Sequence, residues 1–244
     1  MRILVGVAGV ALWSSAALAQ TDVTDVQALG CASGRFEDCR QLLLLVEVKR
    51  GSEPAIEATF APVFNKARAV FEEACDRGDA SDSGCFGAGM MHAAKRPEDL
   101  ARAVTFYERS CDGGYAPGCT QLGNAYTSGL DPEVPWDPQR ALAAYQRACS
   151  AGDPGACTTV AKMLEGAGDI PESVVARVPR DLKRAASLYQ KACDMGEMPA
   201  CLRLAEMYEG GLGVRKDAAQ AARLYSRACK GGVKDSCGRG RISR

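Results

Sequence analysis

An all-α solenoid of antiparallel helix pairs, stapled by disulfides, is the fold class the sequence predicts. Three observations carry it: cysteines that recur in couples, a glycine at a fixed distance after the first of each couple, and a helix-period pattern that returns at every step. The twelve cysteines fall as Cys31 with Cys39, Cys75 with Cys85, Cys111 with Cys119, Cys149 with Cys157, Cys193 with Cys201 and Cys229 with Cys237. Three places after each first cysteine stands Gly34, Gly78, Gly114, Gly152, Gly196 or Gly232. A glycine just past a helical run is the usual left-handed stop, since it has no Cβ to clash. The first cysteine therefore ends one helix and the second opens the next. So short a turn between antiparallel helices brings their ends to the Cα separation of about 5–6 Å that a disulfide needs.

The helix before each turn is equally regular. Four residues before the first cysteine stands Phe71, Tyr107, Tyr145, Tyr189 or Tyr225, and eight before it stands an alanine (Ala67, Ala103, Ala141, Ala185, Ala221). Positions four apart share a helix face, so alanine permits close approach and the aromatic fills the space beyond. Twelve before the cysteine stands Asp99, Asp137, Asp181 or Asp217, each a predicted N-cap. Pro138 follows Asp137 at the favoured first helical position. The helix after each turn carries an apolar residue three past the second cysteine (Leu42, Ala88, Leu122, Val160, Leu204), then a small one (Gly89, Gly123, Ala161, Ala205) that lets helices approach.

In chain order, residues 1–19 read as a signal peptide. Arg2 is a short basic region, residues 3–13 are an apolar core, and Ala17-Leu18-Ala19 is a small-residue cleavage site before Gln20. The apolar run falls short of the ~20 residues that a span needs, and no membrane span is expected after cleavage. Residues 20–38 form an N-terminal cap segment, 39–237 the repeat solenoid of about five helix pairs, and 238–244 a C-terminal tail. First cysteines follow one another at 44, 36, 38, 44 and 36 residues, a period typical of helix-pair repeats. Residues 129–137 and 165–180 lengthen two of the connections between the helices of a pair, and the first unit is long, with Pro62 near the start of its second helix.

Composition narrows function. Basic and acidic residues balance at 30 each, which gives no concentrated positive surface for nucleic acid. An exported chain with an even cysteine count suits disulfides and a secreted or periplasmic location. Metal is the rival reading of the cysteines, but there is no Cys-x-x-Cys and only one histidine, so no metal is expected.

Leu122-Gly123-Asn124-Ala125-Tyr126, Tyr145-Gln146-Arg147-Ala148-Cys149 and Gly210-Gly211-Leu212-Gly213-Val214, with the cysteine spacing, resemble the Sel1-like repeat family and in particular its cysteine-rich secreted Hcp-type subset. The resemblance runs over about residues 31–237. It implies a right-handed superhelix similar to tetratricopeptide repeats, a disulfide in each unit, and protein or peptide binding on the concave face. Some Hcp-type members carry a β-lactamase or penicillin-binding label, and a related mitochondrial member is associated with haem.

The residues give those chemistries little footing. Ser-x-x-Lys, Ser-Asp-Asn and Lys-Thr-Gly are all absent; Thr159-Val160-Ala161-Lys162 has the spacing with the wrong nucleophile. No catalytic residue is assigned, and weak β-lactam hydrolysis or penicillin binding stands as the alternative to a binding scaffold. His92, which takes a place filled by Val, Tyr or Leu elsewhere, reads as a packing residue, and Met90 and Met91 as core filling rather than haem ligands. No cofactor is expected. The first helix of each pair lines the concave face in such solenoids, which puts Gln121 and Asn124, Thr159 and Lys162, and Arg203 and Glu206 in the expected peptide groove, with Gln41 and Leu44, and Gly87 and Met90, at equivalent positions. An Asn amide both donates and accepts, as an extended peptide requires. Trp136, in its Pro-flanked loop, is a second candidate contact.

Overall fold

The second helix of each pair is closed at its C-terminal end by one local device, and that device sets the turn to the next pair. In the computed structural model, which describes residues 65, 67–78, 84–95, 99–128, 133–166 and 177–239, Gly114, Gly152, Gly196 and Gly232 have φ between 86° and 97°. At Gly152 the backbone N–H donates to the Cys149 carbonyl at 3.2 Å, and the next N–H, of Asp153, donates to the Ala148 carbonyl at 3.0 Å. The same pair of bonds recurs at Gly114, Gly196 and Gly232. This is the Schellman closure, which only a residue at ease with positive φ completes cheaply.

The chain divides into two units, Met1–Val70 and Phe71–Arg244. In the first, the described residues 65 and 67–70 are helical. The expected leader, Cys31, Cys39, Gln41 and Leu44 lie outside the described residues. The second unit opens with helical residues 71–76 and continues as α1 (Gly84–Lys95), α2 (Leu100–Asp112), α3 (Ala116–Ser128), α4 (Pro138–Ser150), α5 (Pro154–Glu165), α6 (Leu182–Asp194), α7 (Met198–Gly210) and α8 (Ala218–Lys230), with a 3-10 turn at Lys234–Ser236. The packing is sequential. α1 lies on α2, α3 on α4, α5 on α6 and α7 on α8, and each pair meets the next across a glycine turn. Among the described residues this unit is an α-solenoid with no strand running through it.

Five disulfides cross the turns: Cys75–Cys85, Cys111–Cys119, Cys149–Cys157, Cys193–Cys201 and Cys229–Cys237, with Cα separations from 4.5 to 4.9 Å. No described cysteine is free.

The aromatic and small positions meet as a lock between the helices of a pair. Tyr107, Tyr145, Tyr189 and Tyr225 are buried, as are the alanines four residues before them. A Cβ built on Gly123 of α3 would stand 2.6 Å from Cε1 of Tyr145 on α4, and one on Gly89 of α1 would stand 2.5 Å from Cε1 of Tyr107 on α2. The small residue is thus the seat of the next helix's ring. Gly123→Val is expected to force α3 from α4 and to destabilise the protein by about 1–3 kcal/mol, the usual cost of overpacking. Urea unfolding reads this directly, and an unchanged midpoint would contradict the seat.

Helix starts follow the expected caps with one correction. The side chains of Asp137, Asp181 and Asp217 accept backbone N–H bonds from Arg140, Arg184 and Gln220. Asp99 makes no such bond, its φ of −96° and ψ of 3° departing from the extended backbone that aims a capping side chain. The three capping aspartates share a second bond. The N–H of Asp137 donates to the Tyr126 carbonyl, that of Asp181 to Leu164 and that of Asp217 to Tyr208, at 2.8–3.0 Å. Each acceptor stands seven residues past a second cysteine. Connections of different length therefore return to the same place. The second long connection also starts later than the sequence suggests: α5 runs through Glu165, and Gly166, with φ 69°, ends it.

Candidate functional site

The first helices of the pairs, α3, α5 and α7, carry the expected groove residues in equivalent positions. Asn124 is exposed, and Gln121, Thr159, Lys162, Arg203 and Glu206 are half-buried. Gly87, expected at the same exposed position in α1, is buried instead: a Cβ there would run into the ring of Phe71.

On α3 the Tyr145 hydroxyl, reaching across from α4, donates to Asn124 Oδ1 at 2.7 Å, and Asn124 Nδ2 donates to Gln121 Oε1 at 3.2 Å. These two bonds fix which way the Asn124 amide points. Burial raises the Tyr145 pKa, so its hydroxyl stays a neutral donor through the physiological range. On α5 the Thr159 hydroxyl donates to the Gly155 carbonyl of its own helix at 3.0 Å. That is ordinary helix back-bonding.

On α7 the structure builds something larger. Glu165, the last residue of α5, is 2 % exposed, and its carboxylate accepts from the Tyr189 hydroxyl at 2.9 Å and from Arg203 Nε and a terminal guanidinium nitrogen at 3.1 and 2.7 Å. The Arg203 guanidinium also donates to Glu206 at 2.6 Å, and Glu206 accepts from Arg239 at 2.8 Å. Burial opposes the Arg203 charge, but the hydrogen bonds to Glu165 and Glu206 outweigh it and lift its pKa above the usual arginine value. Burial, then the charge of Glu165, raises the Tyr189 hydroxyl in turn. At Tyr225, which donates to Glu209 at 2.6 Å, burial and that bond push the pKa up to about 12 against the opposing Arg239. Alternating charge thus runs Glu165, Arg203, Glu206, Arg239. Arg203 and Glu206 were legible as groove positions. Glu165 was not, because it reads as the first residue of a loop.

A second recurrent feature escaped the sequence reading. The residue two before the first cysteine is basic in the last four couples: Arg109, Arg147, Lys191, Arg227. Each donates to the carbonyl of the preceding unit's first cysteine, Cys75, Cys111, Cys149 and Cys193 in turn, at 2.8–2.9 Å. The arginines also pair with Asp76, Asp112 and Asp194, at 2.8–3.2 Å. Their regular spacing was the available signal. Each adds a second donor to a C-terminal carbonyl that already accepts from the turn glycine's N–H and sets positive charge at the negative end of the helix dipole.

The other candidates are packed. His92 is buried; its Nε2 lies 2.7 Å from Glu72 Oε1, and its ring stacks on Phe106 at 5.3 Å between centroids. Met90 accepts from the Tyr107 hydroxyl at 3.4 Å, and Met91 is buried. The Arg177 guanidinium lies 5.1 Å from the centre of the Trp136 ring, so the two connections meet there. No described helix is long and apolar enough to cross a membrane.

The Sel1 repeat family model matches residues 83–115, 116–153, 176–197 and 199–233, more than half of the chain. Among solved structures, a Sel1 repeat protein from Oxalobacter formigenes is similar with TM-score 0.53 and 20% identity, over 89% of this chain and 86% of that one. So is c5321, a protective antigen of uropathogenic Escherichia coli with an SLR fold, with TM-score 0.55 and 18% identity, over 91% of this chain and 49% of that one. Cysteine-rich protein B of Helicobacter pylori aligns with 58% of this chain and 95% of its own at 27% identity and TM-score 0.43. No curated protein sequence gives a significant match. The first two likenesses establish the fold. Cys111–Cys119 and Cys193–Cys201 each join two successive matched segments.

Proposed function

The chain belongs to the Sel1 repeat family, and from that premise we propose that it is an exported scaffold whose first helices bind a protein or extended peptide on their concave face. The family is one of interaction scaffolds. Disulfides form and persist in oxidising compartments, which supports a secreted or periplasmic location. The observation that carries the reading is the Asn124 amide, held from two sides by Tyr145 and Gln121 while the residue itself stays exposed. Orienting an amide in advance removes part of the entropic cost of binding a peptide backbone. Lys162 and Arg203 add positive charge along the same row, and Glu206 offers a carboxylate.

The test is site-specific photo-crosslinking in the producing cell. A photoreactive residue at Gln121 or Thr159 is expected to capture a discrete partner, and one at Ala143, exposed on α4, is expected to capture none. Asn124→Ala together with Lys162→Ala should lower capture from position 121 by tenfold or more, as when two directional polar contacts are lost. Equal capture from both helices, or no loss in the double variant, moves the site off this face.

A further inference from the structure

The five described bridges differ in their access to solvent. Cys75, Cys85, Cys111, Cys119, Cys149, Cys157, Cys193 and Cys201 are all buried. Cys229 is half-buried and Cys237 is exposed. The four buried bridges each join two helices, whereas Cys229–Cys237 joins the end of α8 to the 3-10 turn at Lys234–Ser236. Two residues beyond stands Arg239, bonded to Glu206 on α7 at 2.8 Å and lying 5.7 Å from the centre of the Tyr225 ring. The bridge therefore tethers a short segment whose far end closes the charge row on α7.

We infer that Cys229–Cys237 is a thiol–disulfide exchange site for a dithiol reductant, and that opening it releases Arg239 from Glu206. Exchange requires a thiolate to reach a disulfide sulfur, so access decides which bridge reacts first. The reductant's thiolate attacks the exposed Cys237 sulfur, the bond to Cys229 breaks, and Cys229 leaves as a thiolate that takes a proton from water. The reductant's second thiol loses its proton and attacks its own sulfur in the mixed disulfide, freeing Cys237 as a thiolate that is protonated in turn. The bridge gains two electrons and two protons, and the dithiol becomes a disulfide. At the buried bridges the same attack must wait for a junction between repeats to open, a rarer event than exposure of a surface bond. With the tether cut, the turn keeps, among the described residues, local bonds such as Val233 N–H to the Ala228 carbonyl and the Ser236 hydroxyl to the Val233 carbonyl. Glu206 then shares Arg203 with Glu165.

The oxidised full chain, treated with low-millimolar dithiothreitol below its melting temperature, quenched with N-ethylmaleimide at intervals and mapped by mass spectrometry, tests the first half. Cys229 and Cys237 are expected to label at least tenfold faster than the eight buried cysteines. Simultaneous labelling of the ten cysteines in the five described bridges, or earlier labelling at any buried one of these, overturns the assignment. The second half is read by phenylglyoxal modification of Arg239 in the oxidised protein, in the selectively reduced protein, and in Cys229→Ser with Cys237→Ser. Its modification rate is expected to rise several-fold on reduction and to be equally high in the double variant. An unchanged rate after the bridge has opened rejects the release.

Discussion

Replacing Cys149 and Cys157 with serine is expected to remove about 2.5 kcal/mol of stability, the chain-entropy value for a closed loop of their spacing. That loss corresponds to a fall of about 5–10 °C in melting temperature for a chain of this length. The site is chosen for its position. Both cysteines are buried, and their bridge holds α4 against α5 in the middle of the second unit. A solenoid has no single large core, since each repeat touches only its neighbours. A staple at a junction therefore acts where cooperativity between repeats is made. Complete reduction should lower the melting temperature far more than the one substitution does. Thermal scans of the parent and the variant, each with and without strong reductant, measure both effects, and a parent scan that reductant leaves in place would contradict the role given to the bridges.

Arg203→Met is expected to cost about 3 kcal/mol, because it leaves the Glu165 carboxylate buried with the Tyr189 hydroxyl as its remaining side-chain donor. The figure sits at the low end for a broken buried pair because Arg203 is 37% exposed and water reaches its outer edge. Adding Glu165→Gln should recover much of the loss. The amide removes the unpaired charge and still accepts from Tyr189. A double-mutant cycle in urea is expected to give a coupling of about 1.5 kcal/mol or more, within the range for residues in one charge network. Additive single and double values would mean that Arg203 and Glu165 do not act together.

The fold was readable because its determinants are local and repeated. Cys149, Gly152 and Cys157 state a helix stop, a turn and a helix start within nine residues, and Tyr145 with Ala141 states which face is buried. The groove was readable only as positions. Gln121 and Asn124 could be placed on one face from spacing alone, but the bond that orients Asn124 comes from Tyr145, twenty-one residues away. Glu165 shows the limit most clearly. A glutamate beside Gly166 and a Pro-containing stretch reads as a solvated loop, and only the return of Arg203, thirty-eight residues later, explains its burial. Gly87 failed for a related reason: helical spacing put it in register with Gln121, but the ring of Phe71 occupies the space before it. Asp99 failed because capping depends on backbone angles that residue type does not dictate.

The bonds from Asp137, Asp181 and Asp217 back to Tyr126, Leu164 and Tyr208 mean that the chain re-enters phase after each excursion, whether it takes eleven residues, seventeen or nine. Length at that edge is consequently decoupled from pitch. New sequence spliced before Asp181 adds a protrusion without rotating the downstream repeats, so this rim can diversify, or accept a grafted epitope, while the rest of the array keeps its alignment.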